Sequence, residues 1–414
     1  MMHNRSTLHL ATMGLLLAAS SSGVARAQAV SPKGAAAYTV GTFVPDGLLR
    51  SPSSAEVDKS GNVYVVDAGN FVVRKFGPSG TGQVFAGTMG VNEKNDKQTV
   101  AAANRVAGVC YTQTGDHCLA TQAILSNPRD VAIDAKGDVY ISDISTGKIR
   151  KVEIKTGKIT TYAGGNGGGW SDLQLHAPSG MALDAKGDLY VADKVNNAVR
   201  EIMPPVKPAK HGTIVTIAGL GPDQPGCATD GAVAATSKLD HPQDVAVDSA
   251  GNIYIADNGC RKVRKISVDG TISTIAGTGA GDVGTPPEVP FTASSGPALS
   301  VNLSEPKSIA LDGNGNLLIA DAGFDVVWFY KAAKGTIEVL AGLAPNASIC
   351  KASTDPQGDG CHGDAAFLNV PGKPSMDAAG DIYIPEMGGT KSPAHPFDVK
   401  VLRPVGTEAP QEMR

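Results

Sequence analysis

Residues 241–277 read HPQDVAVDSAGNIYIADNGCRKVRKISVDGTISTIAG, and variants of this stretch recur along the chain. Within it, residues 245–247, 252–256, 263–266 and 271–275 are short runs rich in Val, Ile and Tyr with the alternation of β-strands. Between the runs lie Asp248-Ser249-Ala250-Gly251, Asp257-Asn258-Gly259 and Asp269-Gly270. Asp, Asn and Gly accept positive φ or hydrogen-bond their own backbone, so each group marks a tight turn. One unit is therefore a four-stranded antiparallel meander.

The other copies come into register on an opening Pro and an Asp six residues later: Pro52/Asp58, Pro128/Asp134, Pro178/Asp184, Pro242/Asp248, Pro306/Asp312 and Pro371/Asp377. The middles read SGNVYVVD, KGDVYISD, KGDLYVAD, AGNIYIAD, NGNLLIAD and AGDIYIPE, and the third runs VVRKF, KIRKV, AVREI, KVRKI, VVWFY and VKVLR. A closing run such as ISTIAG follows the first five copies but not the sixth, whereas Tyr38 to Phe43 precede the first Pro with nothing to pair with. An open strand edge invites aggregation, and a strand supplied from the other end of the chain closes the ring. The pattern predicts an all-β fold, a six-bladed β-propeller of four-stranded antiparallel blades closed by residues 37–44.

The pattern P-x-x-V-A-V-D-x-x-G-N-x-Y-I-A-D-x-x-N-x-x-[VI]-R-K resembles the NHL repeat, and the resemblance covers Tyr38 to Pro404. It implies a six-bladed propeller similar in shape to lactonase and amidating-lyase propellers. That fold hosts binding modules and enzymes alike.

Outside the repeats, residues 1–27 read as an export signal: Arg5, an apolar run from Leu8 to Ala19, and Ala25-Arg26-Ala27 before Gln28. The propeller is expected over 28–404 and a tail over 405–414. No later stretch approaches the roughly 18 continuous apolar residues of a membrane span, so a secreted or periplasmic monomer is expected. The formal net charge is −4, and loss of Arg5 and Arg26 makes it more negative. That excludes nucleic acid as the expected partner, since phosphate binding needs clustered Lys and Arg.

In a meander blade, the connection into the innermost strand and the second turn share one face. The connections 88–127, 165–177, 220–241, 278–305 and 343–370 are long, which makes this entry face the candidate surface. Asp116, Asp230 and Asp359 share one register in these loops and are expected to cap turns or short helices, with calcium binding as the alternative. All six cysteines are expected on the same face. Fifteen pairings exist for six cysteines; topology favours Cys110–Cys118, Cys227–Cys260 and Cys350–Cys361, and export favours disulfides over zinc.

Candidate site residues are those that break the repeat. The Asp67, Asp143, Asp193, Asp257 and Asp321 series, with Arg74, Arg150, Arg200 and Arg264, reads as per-blade bonding. After the opening Pro, by contrast, Arg129, Asp130, Gln243, Asp244, Lys307 and Lys373 are expected around the tunnel mouth, suited to a polar or ionic ligand or else paired with one another. Glu56 occupies a register otherwise held by Ala132, Ala182, Ala246, Ala310 and Ser375, so it needs a partner such as Lys373 or contact with tunnel water. Trp170, in a glycine-rich loop, would stack on a sugar or aromatic ligand or pack over its blade.

Amidating-lyase propellers place His just after the opening Pro, where this chain has Ser53, Arg129, Ser179, Gln243, Lys307 and Gly372. A lactonase-like site wants Glu where Ser53 stands. His117, His176, His211, His241, His362 and His395 show no metal-ligand spacing, and no cofactor or metal is expected; a divalent cation such as calcium or zinc has no supporting motif. The expected role is a binding module for a protein, peptide or glycan at the stapled loop face. The alternative is a hydrolase or lyase with a central site of Glu56, Arg129, Asp130 and Asp244.

Overall fold

The computed structural model describes residues 38–44, 47–89, 110, 116–165, 168–171, 173–205, 212–279, 291, 293–342, 362–363, 367–388 and 397–405. The turn chemistry read from the sequence builds the blades directly. Asp248 Oδ1 accepts the backbone N–H groups of Ala250 at 3.0 Å and Asn252 at 2.9 Å, and Gly251 between them sits at φ 89°. The same pair of bonds recurs at Asp58, Asp134, Asp184, Asp312 and Asp377. A side chain that satisfies two turn amides joins the first and second strands of every blade in the same way.

From Pro242–Val247 at the centre the fourth blade runs outward through Ile253–Asp257 and Lys262–Ile266 to Thr271–Ala276, all antiparallel. Inner strands Pro52–Val57, Pro128–Ile133, Pro178–Leu183 and Pro306–Leu311 head blades one, two, three and five. The sixth blade has a short inner strand, Ser375–Met376, followed by Ile382–Pro385 and Val399–Pro404. Its outer strand is Tyr38–Val44, antiparallel to Val399–Pro404 with Tyr38 opposite Pro404. The ring is closed from the N-terminal side, as the unpaired sixth copy predicted.

Three blades differ from the four-stranded expectation. The entry connections add Cys118–Leu119, Ala232–Val233 and Ser295–Pro297 as a fifth strand on the outer edges of blades two, four and five. These segments cover edges that would otherwise stand open. At two or three residues they are too short to show alternation. Asp116 and Asp230 belong to this device and do not cap a turn or helix. Asp116 Oδ1 accepts from the backbone and hydroxyl of Thr161 and from Arg150 Nη2, and Asp230 Oδ1 does the same with Thr274 and Arg264. Each therefore ties the connection to the third and outer strands of the blade it leads into. Asp359 lies outside the described residues.

The core lies in six layers, one between each pair of neighbouring blades. Phe43, from the closing strand, packs edge-to-face on Tyr383 of blade six at 4.9 Å and on Phe76 of blade one at 6.1 Å. The Asp series at the ends of the second strands bonds the entry connections: Asp143 accepts from Ser126 N and Asn127 N, and Asp321 from Ser304 N and Glu305 N. The export signal, the tail beyond 405 and the Cys350–Cys361 pair lie outside the described residues. Among the described residues no helix is long and apolar enough to cross a membrane.

Candidate functional site

Two residues after each opening Pro the inner strands set Ser54, Asp130, Gly180, Asp244, Ser308 and Lys373 at one level of the central channel. Lys373 reaches it because its backbone bridges to blade one: Lys373 N donates to Ser53 O at 3.0 Å, and Ala55 N donates to Lys373 O at 3.1 Å. Gly372 permits this approach, since a Cβ there would lie 2.5 Å from the Ser53 carbonyl oxygen. Gly180 is required on the opposite side, where a Cβ would collide with the Asp244 carboxylate.

The Lys373 ammonium donates to Asp130 Oδ2 at 2.7 Å, to the Met181 carbonyl at 2.7 Å and to Asp244 Oδ1 at 3.1 Å. Its three N–H groups are thus all used. Asp130 also accepts from Ser54 Oγ, Val131 N and Met181 N, and Asp244 from Val245 N and Ile309 N. All three side chains are buried, at 7%, 2% and 1% exposure for Lys373, Asp130 and Asp244. Burial alone would lower the lysine pKa; attraction to Asp130 and Asp244 outweighs it and holds the group above its ordinary value. The ammonium occupies the position between the carboxylates that a bound cation would take.

This cluster divides the channel. On the entry side, a void of only 10 Å³ remains beside Ser53, Arg129, Ser179 and Gln243. Arg129 Nη1 lies 3.1 Å from Met387 Sδ, and Lys307 pairs with Glu305 at 3.3 Å. Burial, reinforced by Arg129 and Lys307 and opposed by Glu305, lowers the pKa of Lys194. On the far side a cavity of 230 Å³ is lined by Glu56, Ala182, Leu183, Val247, Leu311 and Met376 among others. Of the sequence candidates, Asp130, Asp244 and Lys373 are brought together; Arg129, Gln243 and Lys307 ring the entry side, and Glu56 faces away from them across the cluster. Trp170 stands apart at the third blade, 41% exposed, with the Arg200 guanidinium 4.8 Å from its ring centroid.

The Glu56 carboxyl group makes no hydrogen bond or ion pair among the described residues, and its pKa is raised from 4.5 to about 7. Burial is the main cause, with Asp130 and Asp244 adding to it and Lys373 opposing it. The folded chain therefore keeps a proton that the unfolded chain loses. Stability from this group is complete below pH 4.5 and is lost as pH rises through about 7. The melting temperature should fall between about pH 5 and pH 8, and Glu56→Gln should flatten that slope in a thermal-shift series. An identical slope in the variant would remove Glu56 as its source.

Cys227–Cys260 ties the fourth entry connection to the second turn of the same blade on the entry face. Cys110–Cys118 instead staples the outer wall, because Cys118 pairs opposite Ile159 in the outer strand of blade two. This corrects the expectation that all six cysteines lie on the entry face; the two pairings themselves are those expected. Between blades one and two the entry face also carries a depression of 340 Å³ lined by Ser51, Ser126, Asn127, Ser145, Gly69 and Phe71. None of these residues drew notice in the sequence, where scattered Ser and Asn near turns read as turn chemistry. Met181 and Ser54, both bonded into the central cluster, were missed for a similar reason: one contributes only backbone and the other is an ordinary small residue.

Residues 239–261 match the family model described as NHL repeat. Teneurin-4 of Mus musculus is 28% identical over 254 residues, which cover 56% of this chain and 9% of that protein, so the chain spans less than a tenth of this relative. An auxiliary nutrient binding protein from Bacteroides thetaiotaomicron superposes with TM-score 0.55 at 12% identity, covering 90% of this chain and 76% of the other. A gluconolactonase from Xanthomonas campestris superposes with TM-score 0.53 at 11% identity, covering 91% and 95%. At these identities the structural likeness is one of fold. With a matched NHL repeat in blade four and the same register in the other five, the chain is a six-bladed β-propeller that carries an NHL repeat at residues 239–261.

Proposed function

We propose that this chain is an exported binding module that holds a protein, peptide or glycan on its entry face, with a neutral glycan as the favoured class. The observation that carries the reading is the 340 Å³ depression between blades one and two. Its lining offers hydroxyl and amide groups from Ser51, Asn127 and Ser145, one aromatic ring from Phe71 and no charge. Sugar hydroxyls need such donors and acceptors, and a sugar ring needs an apolar face to lie on. Export is supported by the Arg5 to Ala27 pattern and by two disulfides, which persist in oxidising compartments.

Nutrient binding and lactone hydrolysis are the roles named for two propellers of similar shape, so shape does not choose between them. The central cluster favours binding. Asp130 and Asp244 are consumed by Lys373, and Glu56 and Arg129 lie on opposite sides of it, so the four residues of the enzyme reading do not share a site. The test is an array of immobilised neutral oligosaccharides probed with the chain from Gln28, alongside turnover assays on a lactone panel. The expected result is saturable oligosaccharide binding that weakens at least about tenfold in Asn127→Ala/Ser145→Ala, the loss of two hydrogen bonds. Lactone turnover without oligosaccharide binding would overturn the proposal in favour of the enzyme reading.

A further inference from the structure

The cavity on the far side of the central cluster is built differently from the entry face. Four inner strands place Ala132, Ala182, Ala246 and Ala310 around it, and the fifth and sixth positions of the same ring are Ser375 and Glu56. The next residues along the strands, Ile133, Leu183, Val247, Leu311 and Met376, form an apolar collar and are only partly buried. Lys373 lines the closed end. The result is a vestibule of 230 Å³ with greasy walls at its mouth and one carboxylate inside.

Hydrogen-bond capacity decides which ligand this shape accepts. Lys373 has spent its three donors on Asp130, Met181 and Asp244, so it offers an anion nothing. Asp130 and Asp244 each have both oxygens occupied, by neighbouring backbone amides, Ser54 and Lys373. Glu56 alone among these charged groups has both carboxylate oxygens without a hydrogen bond. The other inner-strand residues at these two levels, Ser54, Gly180, Ser308, Ser375 and the four alanines, are uncharged. Burial raises the Asp244 pKa to about 7 as well, with Lys373 opposing it; with Glu56 and both aspartates ionised, three carboxylates face one ammonium and the local excess is negative. An unpaired carboxylate at a half-buried site is costly, and a cation supplied from outside relieves that cost.

We propose that this cavity is a second ligand site, which takes a small organic cation, a primary ammonium or guanidinium with a short apolar tail, and that Glu56 is its counter-ion. The head group meets Glu56 while the tail lies against Leu183, Val247 and Leu311. The volume is below the roughly 300–1,000 Å³ of drug-sized pockets, which confines the ligand to a short chain. The site is independent of the entry-face reading, since the central cluster separates the two.

Calorimetric titration of the disulfide-intact chain from Gln28 with n-butylammonium, n-butanol and butyrate tests the proposal. n-Butylammonium should bind saturably, with n-butanol and butyrate at least about tenfold weaker, because only the ammonium gains a charge-assisted bond. Glu56→Gln should weaken n-butylammonium by a similar factor. Glu56→Ala installs the residue that four other blades carry and should do the same while still folding, as melting curves would verify. Because the bound cation favours the ionised carboxylate, binding near pH 7 should release about half a proton, read as a dependence of the heat on buffer ionisation enthalpy. Failure of n-butylammonium to saturate at tens of millimolar (about 50 mM) would overturn the site, as would equal affinity in the Glu56 variants or n-butanol binding as tightly.

Discussion

Lys373→Met should cost the propeller about 3–5 kcal/mol, measured by urea unfolding followed through the fluorescence of buried Trp328. The magnitude follows from what the substitution leaves behind. Asp130 and Asp244 are 2% and 1% exposed, and each would lose the one cation that contacts it. Removing one partner of a buried ion cluster strands the rest in a medium that solvates charge poorly. The cluster also joins all six blades through Ser54, Asp130, Met181, Asp244, Ile309 and Lys373, so the loss is felt around the ring. Lys307→Met is the control: its partner Glu305 is 53% exposed, and the pair should be worth at most about 1 kcal/mol. Equal effects from the two variants would show that the central ammonium is a solvated rim charge after all.

Removal of the closing strand should have the larger effect. Phe43→Ala alone is expected to cost about 3–5 kcal/mol, since the ring fills the layer between the last blade and the first. Deleting residues 38–44 also bares the outer edge of Val399–Pro404, whose register along Tyr38–Val44 is then unpaired. An exposed edge of this kind templates association. Size-exclusion chromatography should find the shortened chain in aggregates and the Phe43→Ala protein still monodisperse. A monodisperse, cooperatively melting deletion variant would mean that the ring closes without this strand.

The two predictions differ in how far the sequence foresaw them. Closure was legible because its signals are local: a sixth copy without a closing run and a leading β-run without a partner. The blade turns were legible for the same reason, each resting on one Asp and the amides two and four residues further on. The fifth strands were not, because a two-residue segment such as Ala232–Val233 has no period to read and is defined only by the outer strand it meets. Asp116 and Asp230 were rightly seen to share a role, but the role depends on Thr161, Thr274 and two arginines that lie 34 to 45 residues away.

At the channel, the sequence could name the charged residues that break the repeat but not how they divide among themselves. Asp130 and Lys373 are 243 residues apart, and Asp244 and Lys373 are 129 apart. Their pairing is set by the convergence of inner strands and by Gly180 and Gly372, which let side chain and backbone approach. By itself, then, the sequence determined the blade, the number of blades and the means of closure, since turn chemistry and alternation act over a few residues and repeat. Only the tertiary structure decided which charges satisfy one another and which one, Glu56, faces open space, because that depends on where six separate strands meet.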